Sequence, residues 1–156
     1  MSDSVRQLII NKIDARLKTI LVTNGYATNI GQSVYDWRAE SLEEANLPAL
    51  IYRDTSTTTE ISTLASFTHT MPVYLLAVVA SDTPMSIIRS IIADIDKAIG
   101  TITDGYPGES WSGLALLTQR MGDESGVEID EKKYAGCQMT MMVTFRTRGW
   151  DDYTQI

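Results

Sequence analysis

The sequence predicts an α+β fold, a mixed, mainly antiparallel sheet flanked by two principal amphipathic helices. Three observations point there. Apolar residues recur at helical spacing near residues 5–20 and again in 84–100. Between and after these stretches run β-prone segments joined by hairpin-length connections, an order that economically gives helices packed on an antiparallel sheet. Near the end, "CQMTMMVTFRTR" alternates with a period of two: Cys137, Met139, Met141, Val143 and Phe145 form one set, and Gln138, Thr140, Met142, Thr144, Arg146 and Arg148 the other.

A chain of 156 residues fits one domain, 1–156, with a real core. Its 44% hydrophobic and 21% charged composition is that of a globular protein. The formal net charge of −7 argues against nucleic-acid affinity through the surface as a whole, because phosphate binding draws on clustered Lys and Arg. No apolar signal core follows Met1 to Ser4 and no stretch reaches membrane-spanning length, so the expected compartment is the reducing cytoplasm. The single Cys137 excludes an intramolecular disulfide and a Cys-based zinc cluster, and its apolar strand neighbours predict a buried structural thiol.

The first helix opens with "SVRQ", a capping box in which Ser4 accepts from the amide three residues on and Gln7 reaches back. Val5, Leu8, Ile9, Lys12, Ile13, Leu17 and Ile20 follow at helical spacing, and Asn24-Gly25 is the expected stop. "YATNIGQSVYDWR" mixes turn formers with β-prone pieces and predicts a strand or hairpin. "SLEEAN" is expected to form one helical turn before a strand from Leu47 to Asp54. Residues 55–64, "TSTTTEISTL", lack helical periodicity and have little to bury, so a mobile loop near 55–65 is expected inside a β-hairpin. Phe67 to Ala80 starts in alternation and ends as an apolar run, which suits a central strand buried on both faces, with Pro72 marking an edge or bulge.

In "SDTPMSIIRSIIADIDKAIG", Asp82 or Thr83 caps a helix, Pro84 sits near its first position and Gly100 ends it. Ile87, Ile88, Ile91, Ile92, Ile95, Ala98 and Ile99 make one stripe, expected to seal the second face or edge of the sheet. After "TITDGYPGES", the reading is strand "WSGLALLTQR", turn "GDESG", short "VEIDEK", then the alternating strand.

Catalytic constellations are missing from this pattern. His69 is the one histidine, and in "FTHTM" it shares a face with Phe67, Met71 and Val73, as a packed structural residue would. "GESWSG" and "GDESG" lack the Lys and the following helix of a phosphate loop. The carboxylates of "DIDKA" diverge around a helix and are expected in solvent, and "DESGVEIDEK" lacks the ligand spacing of a calcium loop. The reading is therefore not an enzyme, with catalytic residues, metal and cofactors all none. Arg146 and Arg148 admit two readings: contacts to a partner's carboxylates, or a strand end kept soluble. Trp150 and Tyr153 follow at once, and aromatics beside two arginines fit docking on a neighbouring subunit.

The succession "VRQLIINKIDARL", "NGYATNIGQSVYDWR", "LPALIYRDT", "HTMPVYLLAVVA", "IIADIDKAIG", "WSGLALLTQR" and "AGCQMTMMVTFRTRGWDDY" resembles the tail terminator, or minor tail protein U-like, family of long-tailed bacteriophages and prophages. The resemblance spans nearly the whole chain and rests on order and spacing, above all "GYAT…VYDWR", "LPAL…RDT" and the terminal "TFRT…WD". It implies a structural protein of the virion, assembled in the host cytoplasm as a six-membered homo-oligomeric ring. Such a ring would cap the head-proximal end of the tail tube, stop polymerisation of the major tail tube protein and offer a surface to the head–tail connector or stopper protein. DNA would pass through its pore without specific binding, which an acidic chain suits, and no membrane is involved. The candidate interface is Thr57, Thr58, Thr59 and Glu60 of the loop, Arg146 and Arg148 of the last strand, and Trp150, Asp151 and Tyr153 of a tail at 149–156. Two alternatives stand beside it: another head–tail connector or tail-completion protein, and a small-molecule-binding α+β domain that uses the uncovered face of its sheet.

Overall fold

The computed structural model describes residues 2–37, 47–129 and 133–156. The helical turn expected for "SLEEAN" lies outside them. The fold is α+β, with helices α1 (Val5–Leu17) and α2 (Pro84–Gly100) on one seven-stranded sheet. The strands are β1 (Val34–Asp36), β2 (Ala49–Asp54), β3 (Thr58–Thr63), β4 (Ser66–Ala80), β5 (Leu117–Ile129), β6 (Lys133–Arg148) and β7 (Asp151–Gln155). The spatial order is β1-β2-β4-β6-β5, with β3 also paired to β4 and β7 to β6. Only β1 and β2 run parallel; every other pair is antiparallel, so the sheet is mixed and mainly antiparallel.

α1 begins as its sequence dictates: Ser4 Oγ accepts from the Gln7 amide at 3.2 Å. The reciprocal half of the capping box does not form, because Gln7 donates instead to Asn11 at 2.8 Å. The helix stops at Leu17, short of Asn24-Gly25. The Gly31 amide donates to Ile20 O at 2.9 Å, and a Cβ at Gly31 would stand 2.7 Å from the carbonyl oxygens of both Lys18 and Ile20. A glycine thus lets the next turn press against the helix end and take a carbonyl that a longer helix would use. Gly25, at φ 89°, ends a separate 3₁₀ turn over Val22–Asn24.

Both helices cover the same face of the sheet. Along β4 the odd residues from Phe67 to Val79 are buried and the even ones half-exposed. The expectation of a strand buried on both faces fails, because α2 packs beside α1 on the odd face and does not seal the second. Ile88, Ile91, Ile95 and Ala98 of α2 are buried, with Ile87, Ile92 and Ile99 packed against the same core. Each fully buried isoleucine of this stripe contributes about 1.5–3 kcal/mol through burial. β6 obeys its alternation throughout: Cys137, Met139, Met141, Val143 and Phe145 are buried against the helices. Burial pushes the Cys137 thiol pKa up, in keeping with a structural cysteine.

Three other stretches depart from the sequence reading. Residues 58–63 form strand β3 rather than a loop: β-branched threonines suit a pleat, and hydroxyls of Thr59, Ser62 and Thr63 bond to His69, Thr68 and Ser66 on β4. "GDESG" is not a turn but the middle of β5, which bulges between Arg120 and Gly122 and keeps Gly126 in regular register with β6. "WSGLA" is not strand: Trp111, Ser112 and Gly113 all have left-handed φ, of 52°, 62° and 84°. This turn buries Trp111 completely, and its indole N–H donates to Thr118 Oγ1 at 2.9 Å.

Pro72 sits inside the central strand and still keeps the rule that proline avoids ladder donors. β2 pairs with residues 73–78 of β4 and β3 with residues 66–70, leaving a notch between them. Leu50 donates its amide to Ser33 O, on the side away from β4, so Ile51 and its partner Leu76 face each other. The same alternation aims the missing N–H of Pro72 into the notch.

Candidate assembly surface

Every candidate residue lies at one end of the sheet, where β3, β4, β6 and β7 run side by side. The registers Glu60↔Thr68↔Arg146 and Thr58↔Thr70↔Thr144 set cross-strand rows on the uncovered face. Glu60 and Arg146 are two strands apart, about 9.5 Å between backbones. Thr57 and Thr59 do not join this face. They line a cavity of about 210 Å³ on the helix side with Arg6, His69, Phe145 and Asp152. The candidates therefore share an end but not a face.

His69 pins that end together. It is buried, with Nδ1 2.9 Å from Thr59 Oγ1 on β3, Nε2 2.8 Å from Thr147 Oγ1 on β6, and its ring stacked on Phe145 at 4.9 Å. Burial lowers its pKa below the ordinary histidine value. This is the structural histidine that its apolar neighbours in the sequence indicated.

Two hairpin tips close the end. The Gly149 amide donates to Ala65 O at 2.9 Å, joining the β6–β7 turn to the β3–β4 turn. A Cβ at Gly149 would lie 3.1 Å from Leu64 O, so the approach favours glycine. Next to it Trp150 has φ 60° and rests the edge of its ring on Phe67, centroid to centroid 5.3 Å, yet remains 90% exposed. Leu64 is 98% exposed and Ile61 68%. Asp151 organises the turn, accepting from the Tyr153 amide at 3.1 Å and the Thr154 hydroxyl at 2.8 Å, bonds that hold its carboxyl below its usual pKa. Arg148 and Tyr153 are exposed, while Arg146 is half-buried with its Nε enclosed and without a hydrogen-bond partner.

Leu64 and Ile61 went unmarked in the sequence reading, although they are the apolar exceptions in a run of Ser and Thr. A second feature was hidden by reading "GDESG" as a turn. At the other end of the sheet Gly126 faces Gly136 across β5 and β6, and their missing side chains leave a hollow of about 570 Å³ on the uncovered face. Leu76 and Val78 are among its apolar lining, and Glu124, Tyr134 and Gln138 supply polar groups.

The carboxylates expected in solvent divide. Asp96 is exposed and pairs with Arg120 at 2.8 Å, whereas Asp94 is buried and accepts from the Ala27 and Thr28 amides at 3.1 and 2.8 Å and the Thr28 hydroxyl at 2.7 Å. Asp94 thus holds the 26–30 segment on α2. Among the described residues no group of three His, Cys, Asp or Glu side chains could hold a metal ion, and no helix is long and apolar enough to cross a membrane. Comparison with family models and with curated proteins finds no match to the chain.

Proposed function

We propose that this chain is a structural phage assembly protein of the tail-terminator kind, a ring of six copies that caps the head-proximal end of the tail tube. In this reading the ring stops polymerisation of the major tail tube protein and then receives the head–tail connector or stopper protein. It works in the host cytoplasm during assembly and ends in the virion, with DNA passing its pore unbound.

The single observation that carries the reading is the pair of tied hairpin tips, which hold Leu64 and Trp150 98% and 90% exposed at one end of the sheet. Exposed apolar groups held together at one site are the kind of surface another protein covers, and Trp is enriched where binding energy concentrates. The acidic charge of −7 supports a pore that repels DNA. Native mass across a wide concentration range, with negative-stain images of the same sample, tests ring formation. Capture of purified tail tubes then separates a terminator, which binds the tube end, from a connector or tail-completion protein, which does not.

A second reading, a small-molecule-binding domain, is favoured by a cavity of about 310 Å³ between α2 and β5, lined by Leu75, Ile99, Met139 and Met141 with Asp96 and Arg120. A metabolite that raises the melting temperature, with no ring and no tube capture, would favour it.

A further inference from the structure

The cavity between α2 and β5 has an apolar floor and a charged mouth. The floor is the covered face of the sheet, where Leu75 of β4 and Met139 and Met141 of β6 are almost wholly buried, and Ile99 of α2 stands beside them. α2 packs on β4 and β6, whereas β5 lies one strand further out, so a gap remains between the helix and the edge strand. The gap holds about 310 Å³. An apolar cavity of about 150 Å³ already takes up benzene. Two thioethers in the floor suit an aromatic body, because sulfur packs favourably at a ring edge and the unbranched side chain adapts its shape.

The charge at the mouth selects the sign of the ligand. Arg120 is the cation of the lining, and two carboxylates already hold it, Asp96 at 2.8 Å and Asp123 at 2.7 Å. Glu109 adds a third carboxylate, exposed and in no salt bridge with another described residue. The Thr118 hydroxyl offers no free donor, since it donates to Glu109 O at 2.6 Å. Arg16 lines a different cavity with Lys12 and Tyr26 and spends Nη1 on backbone carbonyls, so it offers this mouth no donor either. An anionic head group would meet three carboxylates and one guanidinium that is already doubly bound. A positive head group meets the free carboxylate of Glu109.

We propose that this cavity binds a small organic cation, a primary ammonium carried on an aromatic body, with the ring among Leu75, Met139 and Met141 and the ammonium at Glu109 and Asp96. The inference rests on the small-molecule reading above and deepens it by naming the class of ligand; it does not depend on whether copies form a ring. The apolar body leaves water while the head group stays at an exposed rim and keeps part of its hydration, so the charge is held without full desolvation.

Phenethylammonium, phenethyl alcohol and phenylpropanoate share a ring and differ in the charge of the head group. The full chain, labelled at its methionine methyl groups, is titrated with each and followed by NMR. Met139 and Met141 sense the cavity directly, and Met121, 60% exposed and outside the lining, is the internal control. The ammonium is expected to bind about fivefold tighter than the alcohol, the scale of a charge pair at an exposed rim, with the carboxylate weakest. Glu109→Gln, at an exposed position, should narrow the gap between ammonium and alcohol about threefold. An alcohol that binds as tightly as the ammonium, a carboxylate that binds tightest, or a gap unchanged in Glu109→Gln overturns the cationic class and leaves the small-molecule reading standing. Met139 and Met141 signals that move with none of the three overturn the inference together with the cavity on which that reading rests, and leave the terminator reading untouched.

Discussion

The guanidinium of Arg16 lies 4.9 Å from the centre of the Trp111 ring and donates through Nη1 to three carbonyl oxygens, of Ala98, Ile99 and Gly108, at 3.3, 3.3 and 3.1 Å. A side chain of α1 thus satisfies the last turn of α2, where carbonyls lack intrahelical partners and a positive charge complements the helix dipole. The buried turn that places Trp111 is closed onto the same cation.

Arg16→Met keeps roughly the aliphatic stem of the side chain and removes every one of these bonds. It is expected to destabilise the domain by about 2–4 kcal/mol, from buried acceptors left unpaired. Arg16→Lys recovers only part of this, since an ammonium lacks the planar fork and stacks less well on indole. Chemical denaturation measures both, and a loss below about 0.5 kcal/mol for Met would show that the cap is dispensable.

Asp94→Ala strips acceptors from the Ala27 and Thr28 amides and the Thr28 hydroxyl. A loss of about 2–4 kcal/mol is expected, with Asp94→Asn in between because one amide oxygen survives as an acceptor. Equal losses for both variants would locate the effect in the charge rather than in the bonds.

Burial lowers the His69 pKa in the folded chain. The unfolded state, near 6.5, then binds more protons than the native state just below that pH. Stability from this residue is therefore complete above about pH 6.5 and declines as pH falls below it. His69→Gln should flatten that part of the stability profile; the shifts of Asp36 and Asp54 act nearer the carboxylate range. A wild-type profile with no slope between about pH 5 and 6.5 would contradict the assignment.

Ile91→Asp places an unpaired carboxylate where the native side chain is completely buried, beneath the sheet. The domain should lose cooperative melting. A sharp transition would mean that α2 does not pack against β4 and β6 as described.

For the surface, Arg148→Glu is the cleaner of the two charge reversals. Arg148 is exposed, whereas Arg146 is half-buried, with an enclosed Nε and Glu60 in the same cross-strand row. Arg148 faces Asp151 across the β6–β7 hairpin, so Arg148→Glu should lower the melting temperature only slightly, while weakening ring formation about tenfold or more, the scale of about 1.4 kcal/mol at an interface charge. The double variant Arg146→Glu with Arg148→Glu should weaken assembly further and cost more stability. Unaltered ring mass for Arg148→Glu would remove that arginine from the interface.

Much of the fold was legible because periodicity reports burial directly. The Ile88, Ile91 and Ile95 stripe and the alternation from Cys137 to Phe145 each named a buried face correctly. The errors came where local composition and tertiary contact disagree. The polar 58–63 stretch is strand because β4 offers it a ladder, and "GDESG" is strand because the long β6 beside it does the same. An apolar run such as Leu75 to Ala80 cannot say whether a second layer covers it, and here none of the described elements does. Asp94 illustrates the limit for single residues: its burial depends on amides nearly 70 positions away in sequence, at Ala27 and Thr28. The candidate residues gathered at one end through strand register, which a linear reading does not display.

The notch beside Pro72 has a consequence for how the chain avoids error. A gap in one flank of a central strand is where a stray segment could slip in and start a non-native ladder while the domain is assembling. At Pro72 such an intruder finds a carbonyl but no N–H donor, so the opening can offer only half of a ladder pair to an added strand. The same ring closure that ordinarily excludes proline from central strands here acts as a gatekeeper, keeping the β2 and β3 stations on β4 apart and each reserved for its own strand.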